Sequence, residues 1–365
     1  MSKTIIFSGG HHNSALLIAQ DLKAKGYNVI WFGHKYSMKG DTHPSQEFQD
    51  IQAAGIAFIE LKAGKIYRGN ILALFKTIWA TFYSLYYFIA VARPSLVFTF
   101  GGYLAVPVAL AAWILGIPVF GYEHTCVLGK ANSFLLPFFK KLYLVWPNPN
   151  LQKNSKTKLI GMPIKVQNQK KAAILQNFNT SNKPLLLIVG GKQGSHFINN
   201  LINQSLEKLL LNYKLIHITG ANSKTRDFER QLLVREKLDP QKQSSYQVLA
   251  YSQEFNSLMK TADLIIGRSG AHTVYEILTL EKKLLAIPLP FGSGNEQEKN
   301  AQLLVSLGLA QILPQKETDT KSLLMAIKKT ISIKKDVDKI NKFKKEITNS
   351  DPMKIITNDI STILS

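Results

Sequence analysis

The sequence predicts an α/β protein made of two doubly wound halves, each a parallel sheet with helices on both faces. Short apolar runs alternate with segments of helical spacing, which is the pattern of successive βαβ units. Four of the apolar runs stop at glycine loops: Ser8-Gly9-Gly10, Gly101-Gly102-Tyr103, Gly190-Gly191-Lys192-Gln193-Gly194 and Arg268-Ser269-Gly270. The alternation lapses in a polar stretch near residues 162–183 and then begins again.

The elements follow in order. Thr4–Phe7 reads as a short buried strand. Ser14–Lys25 carries Ala15, Leu16, Ile18, Ala19 and Leu22 at helical spacing, and Gly26 stands where a helix stops. Asn28–Phe32 and Ala57–Leu61 are further strands. Residues 71–92 contain one charge, Lys76, and seven aromatics. That segment is almost long enough to cross a bilayer. It also reads as a core helix, or as a helix with an apolar outer face on an anionic membrane, flanked by Lys62, Lys65, Arg68 and Arg93. Strands resume directly after Arg93-Pro94, which favours a mixture of the last two. Ser95–Thr99 is a strand, Ala105–Leu115 a helix, Pro118–Tyr122 a strand, and 133–146 an apolar region with Lys140 and Lys141.

In the second half, strands are expected at Leu185–Val189, Leu215–Thr219, Tyr246–Ala250, Leu264–Ile266 and Leu284–Pro288. Helices are expected from about Ser195 to Leu211 and over Ala271–Leu280. A Lys-rich helical tail begins near 316. The expected domains are residues 1–165, 166–340 and a helical tail, 341–365.

A chain of 365 residues is comfortable for two domains, and 45% hydrophobic with 19% charged residues supplies ample core. Lys and Arg outnumber Asp and Glu by 45 to 24, a net charge of +21. That balance favours an anionic partner: nucleic acid, a phosphorylated substrate or an acidic membrane. Part of it follows from a composition dominated by Lys, Ile and Asn. The single cysteine, Cys126, excludes a disulfide within the chain and suits a reducing compartment. The N-terminus passes straight into a strand, with no cleavage-site pattern.

In an open parallel sheet, ligands bind at the carboxyl ends of the strands. Glycine there lets backbone approach a ligand, and the next helix points free N–H groups and its positive dipole end at the same spot. Two such loops in each half imply an anion site on each side of a cleft. Gly191-Lys192-Gln193 lacks the spacing and Lys-Ser/Thr pair of a P-loop, and no full G-x-G-x-x-G occurs, so hydride transfer loses its cofactor signature.

Four stretches, in order and in register, carry a family resemblance: GGYLAVPVALAAWILGIPVFGYEH (101–124), IVGGKQGSHFIN (188–199), ADLIIGRSGAHTVYEI (262–277) and EQEKNA (296–301). They resemble the MurG-type glycosyltransferases of glycosyltransferase family 28, over about residues 4–345. The resemblance implies a GT-B fold, two Rossmann-like domains facing across a cleft. It implies transfer of N-acetylglucosamine from its UDP donor to a polyprenyl-linked muramyl-pentapeptide, lipid I, giving lipid II in peptidoglycan synthesis. It further implies a peripheral place on the cytoplasmic face of the cell membrane, an anionic membrane surface as partner, no nucleic acid, and no cofactor beyond the UDP-N-acetylglucosamine substrate.

Carried onto this chain, the resemblance puts the donor on the C-terminal half. Glu276 would accept from the ribose hydroxyls. Arg268, Ser269 and Gly270 would face the diphosphate, with Gly191, Lys192, Gln193 and Gly194 completing that site and Lys165 beside it. Ser252 would stand in the loop at the uracil edge. Glu296, Gln297 and Asn300 would read the sugar hydroxyls. The acceptor diphosphate would lie against Ser8, Gly9, Gly10, Gly101, Gly102 and Tyr103, with Thr125 and Asn132 nearby.

The chain departs from the family pattern at several of these places. The first glycine loop is shorter. Glu123-His124-Thr125 stands where Glu-Gln-Asn is usual, Lys192 replaces a serine, Met162 an asparagine and Lys165 an arginine. The expected chemistry is an inverting, direct displacement that needs a general base and stabilisation of the leaving UDP. His11 is the first candidate base, since imidazole titrates near neutrality, and Glu123 the second. Asp336-Val337-Asp338 lies in the Lys-rich tail and is not read as a metal site.

Four alternatives follow from the same residues. A related enzyme with another lipid acceptor such as diacylglycerol would share the donor residues. A sugar-nucleotide epimerase leaves the 71–92 stretch unexplained. A nucleic-acid binder would account for the charge but not the glycine loops, and the chain has no zinc, RRM or KH signature. An inactive, basic membrane-surface homologue fits the altered first loop.

Overall fold

The computed structural model describes residues 2–10, 12–36, 44–64, 71–164, 173–175, 178, 182–191, 193–222, 224–290, 295–348 and 351–364. Of the expected site residues, His11, Lys165 and Lys192 lie outside this set, as do Lys65 and Arg68 beside the apolar helix. The chain divides into two compact units, residues 1–166 with 345–365, and residues 167–344.

The first unit holds a seven-stranded sheet: β1 (Thr4–Ser8), β2 (Asn28–Gly33), β3 (Ala57–Glu60), β4 (Leu96–Thr99), β5 (Val119–Glu123), β6 (Lys141–Leu144) and β7 (Thr157–Leu159). Their order is β3-β2-β1-β4-β5-β6-β7 and every pairing is parallel. β1, β4 and β5 are continuously buried, as strands covered by helices on both faces must be. The chain winds one way from β1 to β3 and the other way from β4 onward, so β1 and β4 form the switch point. In register, Ser8 pairs with Thr99, which sets the Gly9 and Gly101 loops side by side.

The apolar segment forms the helix Ile71–Tyr87 and runs on as a π-helical turn, Phe88–Ala92, ended by Arg93 at φ 42°. It packs against the helix Ala105–Ile114 through a stripe of small residues: Ala73, Thr77, Ala80 and Ser84. Small residues let the backbones approach closely and leave the large side chains on the opposite arc. Ile71, Leu72, Phe75, Trp79, Phe82, Tyr86 and Ile89 are all exposed. The apolar region 133–146 resolves into the helix Lys130–Leu135, one 3-10 turn and β6.

The C-terminal helix, Pro352–Leu364, belongs to this first unit. It buries Ile356, Ile360 and Leu364 and packs on the helix His12–Ala24. Lys25 donates to Thr357 Oγ1 at 3.1 Å, and Tyr143 donates to Asp359 at 3.0 Å, where Lys141 also pairs at 2.8 Å. Burial first, then the Asp359 charge, push the Tyr143 phenol well above its ordinary range.

The second unit repeats the plan with six strands: β8 (Leu185–Val189), β9 (Lys214–Ile218), β10 (Tyr246–Leu249), β11 (Leu264–Gly267), β12 (Leu284–Ala286) and β13 (Ala310–Ile312). The order β10-β9-β8-β11-β12-β13 is again parallel throughout. Its switch point lies between β8 and β11. The core joins Leu186, Ile188, Leu264 and Ile266 of the sheet to Ile198, Ile202 and Leu206 of the helix His196–Asn212 and to Leu323 and Ile327 of the helix Thr320–Ser332.

Candidate functional site

Beyond the carboxyl ends of β8 and β11 lies a cavity of about 410 Å³. Gly190, Gly191, Gly194, Ser195 and His196 line it on one side, and Arg268, Gly270, Thr273 and Gln297 on the other. Two helices start there. Ser195 caps His196–Asn212 by accepting from Ile198 N, and Gly270 is the N-cap of Ala271–Leu280 with no side-chain cap. At least one helix therefore offers its first N–H groups to the cavity uncapped. A Cβ on Gly270 would meet nothing within 4 Å, so its missing side chain leaves open space for a ligand. Gly194 is forced: its φ is +79°, and a Cβ would stand 1.9 Å from Thr219 O.

Arg268 ties the two sides together. Nη1 donates to Ile287 O at 2.8 Å and Pro288 O at 3.1 Å, and Nη2 donates to Ser195 Oγ at 2.8 Å. Its buried Nε finds no partner among the described residues. Burial lowers the guanidinium to about 10, still charged at neutral pH. Ser269 Oγ donates to Gln297 O at 2.7 Å, and Asn300 Nδ2 donates to Ser269 O at 3.3 Å. Gln297 Oε1 accepts from Leu289 N at 3.1 Å. Asn300 is fully buried, and its Oδ1 has no partner among the described residues. A buried carbonyl left so is costly unless something donates to it.

Glu276 is half-buried, one turn into Ala271–Leu280, with no hydrogen bond or ion pair among the described residues. Burial raises its carboxyl from 4.5 to about 7. Ser252 stands in the loop after β10, where its Oγ accepts from Glu254 N at 3.1 Å, next to the exposed Tyr251. Gln193 is exposed at the tip of the glycine loop, and Glu296 opens the helix Glu296–Ser306.

In the first unit, the loops after β1 and β4 touch backbone to backbone. Gly10 N donates to Gly101 O at 3.2 Å, and a Cβ on Gly9 (φ +133°) would lie 2.7 Å from that oxygen. Gly10 and Gly102 are exposed, and Tyr103 is half-buried beside the His34 ring at 5.5 Å. Ser8 is fully buried and its hydroxyl donates to Leu104 O at 3.4 Å, so its side chain is turned into the unit. Glu123 is buried and accepts four times: from Thr125 N at 3.1 Å, Thr125 Oγ1 at 2.7 Å, Gly129 N at 2.8 Å and Asn132 Nδ2 at 3.0 Å. Asn132 Oδ1 is buried without a partner among the described residues, and the amide faces the Gly101 backbone, where a Cβ would stand 3.3 Å from Nδ2.

Sequence reasoning passed over Ser195, His196 and Asn199. The signal for Ser195 was present: a serine directly before a helical apolar pattern is an N-cap. The others depend on partners far along the chain. His196 Nδ1 meets Asp227 Oδ1 at 2.8 Å, and Asn199 Nδ2 donates to Asp227 Oδ2 at 2.9 Å. Asn199 Oδ1 in turn meets His217 Nε2 at 2.9 Å, and His217 Nδ1 meets Tyr246 Oη at 3.0 Å. Complete burial drives His217 down to about 3, so it stays neutral.

The chain is similar to known proteins in sequence and in fold. Residues 4–144 match the glycosyltransferase family 28 N-terminal domain and residues 185–352 the family 28 C-terminal domain. A Clostridium kluyveri protein is 31% identical over 369 residues, covering 98% of each chain. A Clostridium botulinum protein is 30% identical over 338 residues, covering 89% of each. Both are named UDP-N-acetylglucosamine--N-acetylmuramyl-(pentapeptide) pyrophosphoryl-undecaprenol N-acetylglucosamine transferase. The crystal structure of Acinetobacter baumannii MurG superposes with a TM-score of 0.69 at 25% identity, covering 90% of each chain. With both domain signatures in order and relatives matched along nearly its whole length, the chain belongs to glycosyltransferase family 28.

Proposed function

We propose that this chain transfers N-acetylglucosamine from UDP-N-acetylglucosamine to the polyprenyl-linked muramyl-pentapeptide acceptor, making the disaccharide-linked lipid of peptidoglycan synthesis. The observation that carries this reading is the cavity at the β8/β11 switch point, rimmed by glycine loops and a helix start without a side-chain cap. Family membership supplies the reaction class, and the relatives' name supplies donor and acceptor.

In this reading the donor diphosphate lies against Gly191, Gln193, Gly194, Ser269 and Gly270, with Arg268 behind and Lys192 and Lys165 as added cations. Glu276 accepts from the ribose diol, for which an unpartnered carboxylate is apt. The Ser252 loop meets the uracil edge. Gln297, Asn300 and Glu296 meet the sugar, and the orphaned Asn300 Oδ1 gains a hydroxyl donor. In the first unit, Gly9, Gly10, Gly101, Gly102 and Tyr103 hold the acceptor diphosphate, and Asn132 Oδ1 accepts from the acceptor sugar. Ser8 and Thr125 shape these loops from within.

The acceptor hydroxyl attacks the anomeric carbon in line as the bond to the diphosphate breaks, which inverts the centre. His11 takes the hydroxyl proton, and the developing negative charge on UDP passes to the helix N–H groups. Glu123 holds the 123–132 loop, accepting from Thr125 N, Gly129 N and Asn132 Nδ2, while the single Thr125 hydroxyl proton has both Glu123 Oε1 and Val127 O in reach.

The apolar helix gives the enzyme its place. Its length and composition would suffice for a span. The small-residue stripe holds it to the unit while the opposite arc faces outward, and that geometry suits a helix lying in the interface of an anionic membrane. Exposed Lys62 and Arg93 flank it. The test is transfer of labelled N-acetylglucosamine to a lipid I analogue, with diacylglycerol in parallel. Product from lipid I alone is expected; product from diacylglycerol alone would replace the acceptor assignment.

A further inference from the structure

His196 has no place in the reading above, yet it lines the donor cavity at the first residue of its helix. Its surroundings are built. Nδ1 meets Asp227 Oδ1 at 2.8 Å, and Asp227 is almost fully buried. Asp227 Oδ2 accepts from Asn199, which is itself locked by Thr219 O and by the buried ring of His217. Burial alone would raise the Asp227 carboxyl; hydrogen bonds from Asn199, His196 and Thr225 outweigh it and hold it below its ordinary value.

The other ring nitrogen decides the chemistry. Arg230 Nη1 donates to Asn200 Oδ1 at 3.0 Å, so Asn200 Nδ2 is the atom that meets His196 Nε2 at 2.9 Å. Nε2 therefore accepts and Nδ1–H donates to Asp227. A proton on Nε2 would set two donors against each other and expel the Asn200 amide. The ring would then need an anion on its cavity side. The charged groups around it among the described residues are Asp227, already engaged at Nδ1, Arg230 at 3.7 Å from Asp227, and Arg268 across the cavity.

We infer that His196 is a ligand of the donor diphosphate, oriented by Asp227, and that its protonated ring donates from Nε2 to a diphosphate oxygen as UDP departs. The inference rests on the donor reading of the cavity. Three of the five Arg268 N–H groups are already engaged, by Ile287 O, Pro288 O and Ser195 Oγ. Asp227 is a positioning residue: it accepts from Nδ1–H and so fixes the ring with Nε2 on the cavity side.

The experiment is calorimetric titration of the full chain with UDP-N-acetylglucosamine from mildly acidic to mildly alkaline pH. Both phosphates of that ligand are esterified, so its own charge is constant across the range. Losing the ring proton should weaken binding, whereas ionisation of Glu276, raised to about 7 by burial, should strengthen it through the ribose, so the histidine's share is read as the difference between the wild-type chain and His196→Gln. His196→Gln should remove that share and weaken binding about ten-fold at the acidic end, the ratio of one charge-assisted hydrogen bond. Asp227→Asn should weaken binding by releasing the ring from its fixed orientation, and Asp227→Glu should restore it. A His196→Gln variant with the wild-type affinity and pH dependence overturns the inference while the donor reading stands. No binding by the wild-type chain at any pH overturns both. The ring is well exposed, so the glutamine variant folds even if those at Asp227 do not.

Discussion

Arg268 donates to Ser195 Oγ across 2.8 Å, joining the end of β11 to the N-cap of the helix that follows β8. The two residues are 73 positions apart in the chain. The same guanidinium holds two carbonyls after β12, so one side chain aligns three loops of the cavity. Lysine keeps the charge but not the fork. Arg268→Lys should leave at least one buried acceptor unmet and cost about 2–3 kcal/mol. A drop in melting temperature on the order of 5–10 °C, with weaker UDP binding, is the expected result of calorimetry; an unchanged melt would mean the loops hold without it.

Glu276 opposes stability to binding. Its carboxyl is raised from 4.5 to about 7 by burial. Between those values the folded chain keeps a proton that the unfolded chain has released. Folding stability therefore falls as pH rises through that window and stays lowered above it. Glu276→Gln removes the titration. Denaturant titration at mildly alkaline pH should show a gain of up to about 3 kcal/mol, with the gain vanishing at acidic pH. The same variant should lose most UDP affinity, since the ribose acceptor is gone. Tight binding by this variant would remove Glu276 from the donor site.

For Glu123 the structure separates two roles that a sequence cannot. Four donors converge on its oxygens from Thr125, Gly129 and Asn132. Glu123→Gln turns an NH₂ group toward some of them and should cost about 2–4 kcal/mol. The expected signature is a lower melting temperature together with reduced turnover. Lost turnover at an unchanged melting temperature would instead make the carboxylate the base.

What was legible beforehand follows from how local each signal is. The switch from apolar run to helical spacing at Ser8-Gly9-Gly10, or at Arg268-Ser269-Gly270, is written within a dozen residues, and both sheets follow from it. β7, Thr157–Leu159, is three half-exposed residues with no period to read. The last helix returns to the first unit through Lys25 and Thr357, 332 positions apart, which no local pattern announces. The same holds in the site. Glycines and carboxylates were visible as types; the four donors on Glu123, the buried Ser8 and the His196–Asp227 pair exist only once distant segments meet.

The outward arc of Ile71–Tyr87 makes the last prediction. Phe75, Trp79 and Phe82 are 63%, 56% and 67% exposed, whereas Ala80 on the opposite side is fully buried. Burying one such ring in a lipid interface stabilises by about 1.5–3 kcal/mol, and losing it from water-exposed surface costs the fold almost nothing. Replacing all three rings by serine should weaken binding to phosphatidylglycerol vesicles at least ten-fold and leave the melting temperature in place. Ala80→Leu should do the reverse: overpacking against Ala105–Ile114 costs about 1–3 kcal/mol, while the outward arc still meets the vesicle. Salt should weaken the wild-type interaction, because Lys62 and Arg93 add a screened electrostatic share. Vesicle sedimentation beside thermal melts reads both effects. If the serine variant sediments like wild type, the arc is not the membrane contact, and the exposed rings need another explanation.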